Sequence, residues 1–476
     1  MRFVGRSALV ASLDTQFKEV VASGAGKLLI VRGRRQVGKS RLFTEFIWRS
    51  GCSHVFFTAV KSATLAAQLD AFRREVHESV PSLPEASSLF ASTPASWSDV
   101  FGRIRLAAQS GPIVVVLDEF PWATAADPSL EGALQVAWDR YLQHLPVLLV
   151  LIGSDLAMME RIVEHDRPLY GRGKELIVRP FNPAEVGSAL GGVSAMKVFD
   201  SYLVTGGYPK LVDELARAGS VEQYLATGLG DENSNLIVVG QRSLDAEFPS
   251  EAQARRVLSA IGGHEIGHAT FSSSVERLGD GTSGGTAMSR GLQLLVDDKR
   301  VVSIDTPAGR DAAARLRRYR IADPYLRFWF RFVEPQLANV ARGRSDVAIE
   351  ATRRDFSTWR GVAIEPIVRE AIARLAPTIE GLTEIVTTEA WWDRVGRHEV
   401  DVVGSSLVGR VVAIGSIKWR DRRQFSAEEL EELAANRAVV PGAGGAKLVA
   451  VCPAGARTRA NPNFVFDADL LLSAWS

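Results

Sequence analysis

One stretch near the N-terminus limits the fold more than any other. Lys27-Leu28-Leu29-Ile30-Val31-Arg32 is an apolar run that reads as a buried strand. It leads straight into Gly33-Arg34-Arg35-Gln36-Val37-Gly38-Lys39-Ser40, the G-x-x-x-x-G-K-S pattern of a phosphate-binding Walker A loop. Arg41 follows, and Leu42, Phe43, Phe46 and Ile47 then recur on one helical face. The glycines let backbone N–H groups turn inward, and the helix N-terminus adds positive potential. Lys39 is then placed to reach the β- and γ-phosphates of a nucleoside triphosphate, and the Ser40 hydroxyl to ligate Mg²⁺. The residues expected around ATP are therefore Gly33, Arg34, Arg35, Gln36, Val37, Gly38, Lys39, Ser40 and Arg41.

A second signal lies downstream. Pro112 to Leu117 is an apolar strand that ends in Asp118-Glu119, a Walker B pattern. A carboxylate at the end of a buried strand can hold Mg²⁺, here Asp118, and its neighbour Glu119 can polarise the attacking water. An acidic pair is also a common solvated loop start; behind a Walker A loop it points to a hydrolysing ATPase rather than a small-molecule kinase. Val147 to Gly153 is another buried strand, followed by Ser154-Asp155. Ser154 is expected to sense the γ-phosphate, to cap the next helix together with or in place of Asp155, or to do both. Arg172, just before a strand expected at Leu176 to Val178, is either a surface-loop residue or an arginine that meets the γ-phosphate in cis or from a neighbouring subunit.

Length and composition set the frame for the rest. A chain of 476 residues suggests roughly three domains. With 46% hydrophobic and 23% charged residues it has material for several cores. A net charge of +1 means that any nucleic-acid surface is local. Cys52 and Cys452 show no metal or redox spacing and read as reduced core thiols of a cytoplasmic protein. The N-terminus lacks a signal-peptide core, and the apolar run Val147 to Ile152 is far too short to span a membrane.

The motifs occur in a telling order. Phe3-Val4-Gly5-Arg6, Gly33 to Ser40, Leu117-Asp118-Glu119-Phe120, Ile152-Gly153-Ser154, Leu169-Tyr170-Gly171-Arg172 and Gly206-Gly207-Tyr208-Pro209 follow one another along the first half of the chain. This resembles the archaeal-type ATPases, which group with the signal-transducing (STAND-like) branch of AAA+-related proteins. The resemblance implies that the Gly5-Arg6 segment covers the adenine, that the core is of the additional-strand type, and that residues 182–248 form a helical lid. Pro209, in a turn inside that lid, is expected against the base.

Beyond the lid, helices expected at Ser250 to Ile261, Phe271 to Leu278 and Thr286 to Val296 precede short strands at Val301 to Ile304 and Arg318 to Ile321. Three helices followed by a hairpin is the winged-helix pattern. Its third helix offers Thr286, Ser289, Arg290 and Gln293, and the wing offers Arg310, Arg315, Arg317, Arg318 and Arg320 against Asp311. The element either contacts double-stranded DNA or serves as a packing module with a solvated charged face. Tyr325, Phe328, Trp329 and Phe332 fall at helical spacing and read as a buried seam rather than as stacking platforms. Their string resembles the signature joining such ATPases to a C-terminal module of unassigned function.

The C-terminal pattern is a helix at Gly361 to Leu375 carrying Glu365, a strand with Glu399 and Asp401, and a strand running into Ser416-Ile417-Lys418. Alternate strand residues share a face. The spacing resembles the PD-(D/E)XK nuclease core, with Glu365, Asp401 and Lys418 matching three of its positions. Where that pattern has an acid, this chain has Ser416, a poor ligand for a hard dication; Glu399 is the one acid on the Asp401 face that could stand in. The reading is a nuclease-like domain with a damaged or absent metal site.

The expected architecture is thus α/β: a P-loop NTPase core over residues 1–181, a helical lid over 182–248, a winged helix over 249–335, and a restriction-endonuclease-like domain over 336–476. The expected function is an ATP-hydrolysing, Mg²⁺-dependent switch acting with DNA. Its rivals are a switch that binds protein partners or copies of itself, and an ATP-licensed nuclease.

Overall fold

The computed structural model describes residues 3–154, 156–248, 252–263, 268–279, 281–309 and 316–476. Asp155, Ser250, Arg310, Asp311 and Arg315, which carry some of the expectations above, lie outside the described residues. The chain divides into two compact units, Met1–Pro180 and Phe181–Ser476.

The first unit is built on five parallel strands, β1 Lys27–Arg32, β2 Ser53–Thr58, β3 Ile113–Asp118, β4 Val147–Gly153 and β5 Lys174–Ile177. Every residue of β3 and β4 is buried, which is why both read as unbroken apolar runs rather than alternating ones. The sheet order is β2-β3-β4-β1-β5, so β4 is inserted between the loop-bearing strand and the acidic one. The helix Lys39–Ser50 buries Leu42, Phe43, Phe46 and Ile47, the face anticipated from spacing. Strand ends were read less well. The strand expected at Leu176 to Val178 lies further toward the N-terminus, because apolar periodicity marks an interior and not its boundaries.

The second unit starts with helices from Pro183–Leu190 to Asn235–Glu247. The β-branched stretch Leu236 to Val239, a strand candidate by composition, lies inside the last of these, with Leu236, Ile237 and Val239 buried; packing of that face overrides local propensity. Next come the helix Ala252–Gly262, β6 Ala269–Thr270, the helices Phe271–Leu278 and Gly284–Gln293, β7 Val302–Asp305 and β8 Arg318–Ile321. The strands form an antiparallel sheet in the order β6-β8-β7. The third helix begins two residues earlier than expected and continues as a π-turn over Leu294–Asp298, which keeps Leu295 buried.

Tyr325, Phe328, Trp329 and Phe332 are buried. The Tyr325 hydroxyl donates to the Leu236 carbonyl at 2.8 Å and the Trp329 indole to that of Ile237 at 3.2 Å, so this is an interior seam. The helix expected over Gly361–Leu375 is two helices, Ser345–Ala363 and Glu365–Leu375, because Pro366 cannot continue the first. The last sheet contains β9 Thr387–Trp392, β10 Glu399–Ser405, β11 Val411–Ile417, β12 Lys447–Val451 and β13 Phe464–Phe466. Its order is β13-β12-β11-β10-β9, antiparallel from β9 to β11 and parallel from β11 to β13. Both cysteines are free and buried. Among the described residues no helix is long and apolar enough to cross a membrane.

Candidate functional site

Parallel strands deliver their loops to one edge, and the carboxyl ends of β1, β3 and β4 are neighbours there. The loop after β1 passes close beneath the chain leaving β5. A Cβ on Gly33 would lie 2.2 Å from the Val178 carbonyl oxygen, so only glycine fits. Gly38, with φ 83°, turns the chain into the helix that starts at Lys39. Val37 is buried, while Arg35, Gln36, Ser40 and Arg41 are exposed along the loop and first helical turn.

The polar side chains of Lys39, Ser40, Asp118, Glu119 and Ser154 at this edge all have partners. The Lys39 ammonium folds back to donate to the carbonyls of Gly33 at 2.7 Å and Arg34 at 2.9 Å. Burial pulls its pKa down to about 8, against the opposing charges of Glu119 and Asp118. The Ser40 hydroxyl donates to Oδ2 of Asp118 at 2.7 Å, and the Glu119 N–H to Oδ1 of the same carboxylate at 2.9 Å. Burial at the end of β3 pushes the Asp118 carboxyl up. Glu119 has φ 51°, an uncommon conformation for a side chain of this size, and its Oε1 accepts the Ser154 hydroxyl at 2.8 Å. That link between β3 and β4 carries no sequence signal; the spacing of Ser154 after its strand was the only pointer.

Arg6 and Arg172 meet other partners. Gly5 and Arg6 both have positive φ, and the buried Arg6 guanidinium donates to the carbonyls of Val37 and, at 2.9 Å, Arg179. Arg6 therefore braces the phosphate loop from behind against the end of the sheet. Arg172 does not join the cluster. Lys174 pairs with Leu29 in β1, so Arg172 stands level with the start of that strand. That is roughly 15 Å along the sheet from the loop at its far end. Its guanidinium forks onto Asp139, at 2.8 Å to each carboxylate oxygen. A cis role at the γ-phosphate does not hold for Arg172, because a residue before a parallel strand lies on the opposite edge from the loops that follow the strands. Pro209 opens the helix Pro209–Ala218 of the second unit.

A second cluster sits in the C-terminal sheet. Glu365 is the first residue of its helix, and burial pushes its pKa up to about 8, with Asp401 adding to the rise. Oδ2 of Asp401 accepts the Ile417 N–H at 2.6 Å and the Ser416 hydroxyl at 3.2 Å. Burial raises this carboxyl too, and the charge of Lys418 is close enough to oppose that rise. Glu399 turns away from the stand-in role: it takes Arg318, with Nη2 at 3.2 Å, and His268, with Nε2 at 3.3 Å. Burial would raise its carboxyl, but these two partners hold it down at about 2. Arg369, not singled out from the sequence, donates to the Asp401 carbonyl at 2.9 Å.

Two family models match parts of the chain. Residues 15–215 match a family model described as an ATPase domain predominantly from Archaea. Residues 329–432 match one described as archaeal and bacterial proteins of unknown function. The chain is 21% identical over 430 residues to an uncharacterized protein of Methanocaldococcus jannaschii, covering 90% of each. Among solved structures it is similar to a Walker-type ATPase of Pyrococcus abyssi, at 17% identity and a TM-score of 0.48, over 69% of this chain and 96% of that one. It is also similar to the ORC2 protein of Aeropyrum pernix in its ADPNP-ADP complexes, at 16% identity and a TM-score of 0.46, over 73% and 95%. The matched domain makes this protein an ATPase.

Proposed function

We propose that the protein is a Mg²⁺-dependent ATP hydrolase that works as a nucleotide switch on DNA. The observation that carries this reading is the meeting of Lys39, Ser40, Asp118, Glu119 and Ser154 at one edge of the sheet. On ATP binding, Lys39 exchanges the Gly33 and Arg34 carbonyls for β- and γ-phosphate oxygens. Ser40 and Asp118 are hard oxygen donors already 2.7 Å apart, which suits Mg²⁺. Bound there, the ion supplies neutralisation of phosphate charge. Glu119 would accept a proton from the water that attacks the γ-phosphorus, the bond from that phosphorus to the β–γ bridging oxygen would break with ADP taking its electron pair, and Ser154 would pass its hydrogen bond from Glu119 to the phosphate.

The output is read from the second unit. Residues 252–321 follow the helix, strand, helix, helix, strand, strand order of a winged helix. Thr286, Ser289, Arg290 and Gln293 are exposed along one side of the third helix, which supports a DNA-reading face. A second reading, a switch for protein partners, is favoured by the hairpin. Arg320 pairs with Asp305 at 2.9 Å, Arg318 is held by Glu399, and the Ala308 N–H donates to the Ala390 carbonyl at 2.9 Å in β9. With Arg318 and Arg320 engaged inside the protein, the described part of the hairpin adds little to a DNA contact.

The test is ATP turnover with Mg²⁺, with and without duplex DNA, beside Glu119→Gln and Arg290→Ala. Turnover lost in Glu119→Gln, by roughly a hundredfold or more, with ATP binding retained, supports the hydrolytic core. DNA binding that weakens steeply with salt and drops in Arg290→Ala supports the DNA reading. Nucleotide-dependent self-association without DNA binding in any nucleotide state moves the output to protein partners.

A further inference from the structure

The nuclease-like resemblance of residues 336–476 implies a divalent ion among Glu365, Asp401 and a third acid two residues before Lys418. The residues present do not fit one. Ser416 occupies the third position and hydrogen-bonds Asp401 instead. Glu399, the nearest spare carboxylate, is engaged by Arg318 and His268, and the Arg318 guanidinium also lies 3.9 Å from the centroid of the Trp392 ring. Among the described residues no group of three acidic, histidine or cysteine side chains is arranged to hold a metal.

The protein supplies the positive charge itself. Arg369 follows Glu365 by one helical turn and stands on the same face. Its Nη1 lies 3.5 Å from Oε2 of Glu365 and donates to the Asp401 carbonyl, and its side chain is only 10% exposed. Arg327 lies half-buried nearby, donating to the Ala363 carbonyl at 3.2 Å, and its charge also acts on Glu365. Lys418 and the Ile417 N–H serve Asp401. Glu365 and Asp401 thus share their surroundings with two guanidiniums and an ammonium, and a dication would enter where positive charge already stands.

We infer that Arg369 is the resident cation of this pocket and that the C-terminal module binds no divalent ion there. The inference rests on the nuclease-like reading only for which positions a metal would use. It removes the ATP-licensed nuclease from the possible outputs and leaves the module as a charge-closed element that folds without metal.

The test is Mn²⁺ titration of the nucleotide-free full-length chain, followed by the electron paramagnetic resonance signal of free Mn²⁺. The expected result is the same titration curve for the wild type and Asp401→Asn up to millimolar Mn²⁺. Mn²⁺ taken up by the wild type and released in Asp401→Asn overturns the inference while leaving the nuclease-like reading intact. The second variant, Arg369→Met with Ser416→Asp, removes the internal cation and restores the missing acid. It is expected to gain about one Mn²⁺ per chain. A double variant that is folded by circular dichroism yet gains no Mn²⁺ overturns the inference together with the nuclease-like reading of these positions.

Discussion

The Tyr208 hydroxyl donates to Oδ2 of Asp323 at 2.8 Å across 115 residues of sequence, with both side chains buried. Oδ1 of the same carboxylate accepts the Leu326 N–H and caps the helix Pro324–Phe328, and the Tyr208 ring packs edge-on against Tyr325 at 5.5 Å between centroids. The glycine turn before Tyr208 is tied to the same place, since a Cβ on Gly206 would lie 2.7 Å from the Tyr325 Cβ. Two motifs that look separate in the sequence are therefore one joint. Tyr208→Phe keeps the ring and removes the hydroxyl. It is expected to lower stability by about 1–3 kcal/mol, the cost of leaving a buried acceptor short of a partner. The midpoint of denaturant unfolding reads this, and an unchanged midpoint would show that the bond holds nothing.

Ser154 has a testable place in the hydrolytic cycle. Ser154→Ala removes the hydroxyl that Glu119 accepts and is expected to lower turnover on the order of a hundredfold, as loss of a single catalytic hydrogen-bond donor does. ATP affinity, measured separately, stays near wild type, and Ser154→Thr recovers most of the rate. A weaker affinity at unchanged turnover would place Ser154 in binding alone.

The buried Lys39 predicts a pH dependence with a definite sign. Burial lowers its pKa to about 8 in the free site, whereas bound phosphates favour the ammonium. ATP affinity is therefore expected to be flat below about pH 8 and to fall above it, by up to about tenfold per pH unit. Binding on the alkaline side takes up a proton. A fluorescent ATP analogue titrated across this range reads the profile, and Lys39→Arg is expected to flatten it. A wild-type profile without the alkaline fall would mean that the free ammonium is not poised as its burial implies.

Arg172 supplies the contrast. Its pair with Asp139 is partly exposed, 28% and 42% for the two side chains, so Arg172→Ala is expected to change stability by less than about 1 kcal/mol. Turnover of the dilute chain is expected to stay within about twofold of wild type, given the roughly 15 Å between Arg172 and the loop. A rate that falls only at protein concentrations where chains associate would show Arg172 acting on a neighbour's site. A rate that falls in the dilute chain would contradict its place on the far edge.

The order and type of elements were largely legible in the sequence, and the reasons are local. A run such as Ile113–Asp118 is buried on both faces and shows it as unbroken apolar residues; the helix after the loop shows its buried face as Leu42, Phe43, Phe46 and Ile47. Local rules failed where packing decides. Leu236 to Val239 has strand composition but helical neighbours, and Pro366 splits a helix that periodicity alone would join. The glycine turn after β1 was legible because its close approach at Gly33 and the positive φ at Gly38 demand glycine at a fixed spacing. Arg172 was left open between a surface loop and a phosphate-facing role because sequence order does not reveal which edge of a parallel sheet a loop occupies.

What the sequence determined by itself is the chemistry available: a glycine loop with Lys39 and Ser40, an acidic strand end at Asp118 and Glu119, and a serine, Ser416, two residues before Lys418. What only the tertiary structure decided is which charges meet. Ser154 on Glu119, Arg6 on Val37, Arg318 on Glu399 and Arg369 beside Glu365 join residues from different elements or different helical turns. Such meetings depend on strand register and helix rotation, which one-dimensional periodicity leaves open. The strength of each charge pair then depends on burial, which exists only once the chain has closed around it.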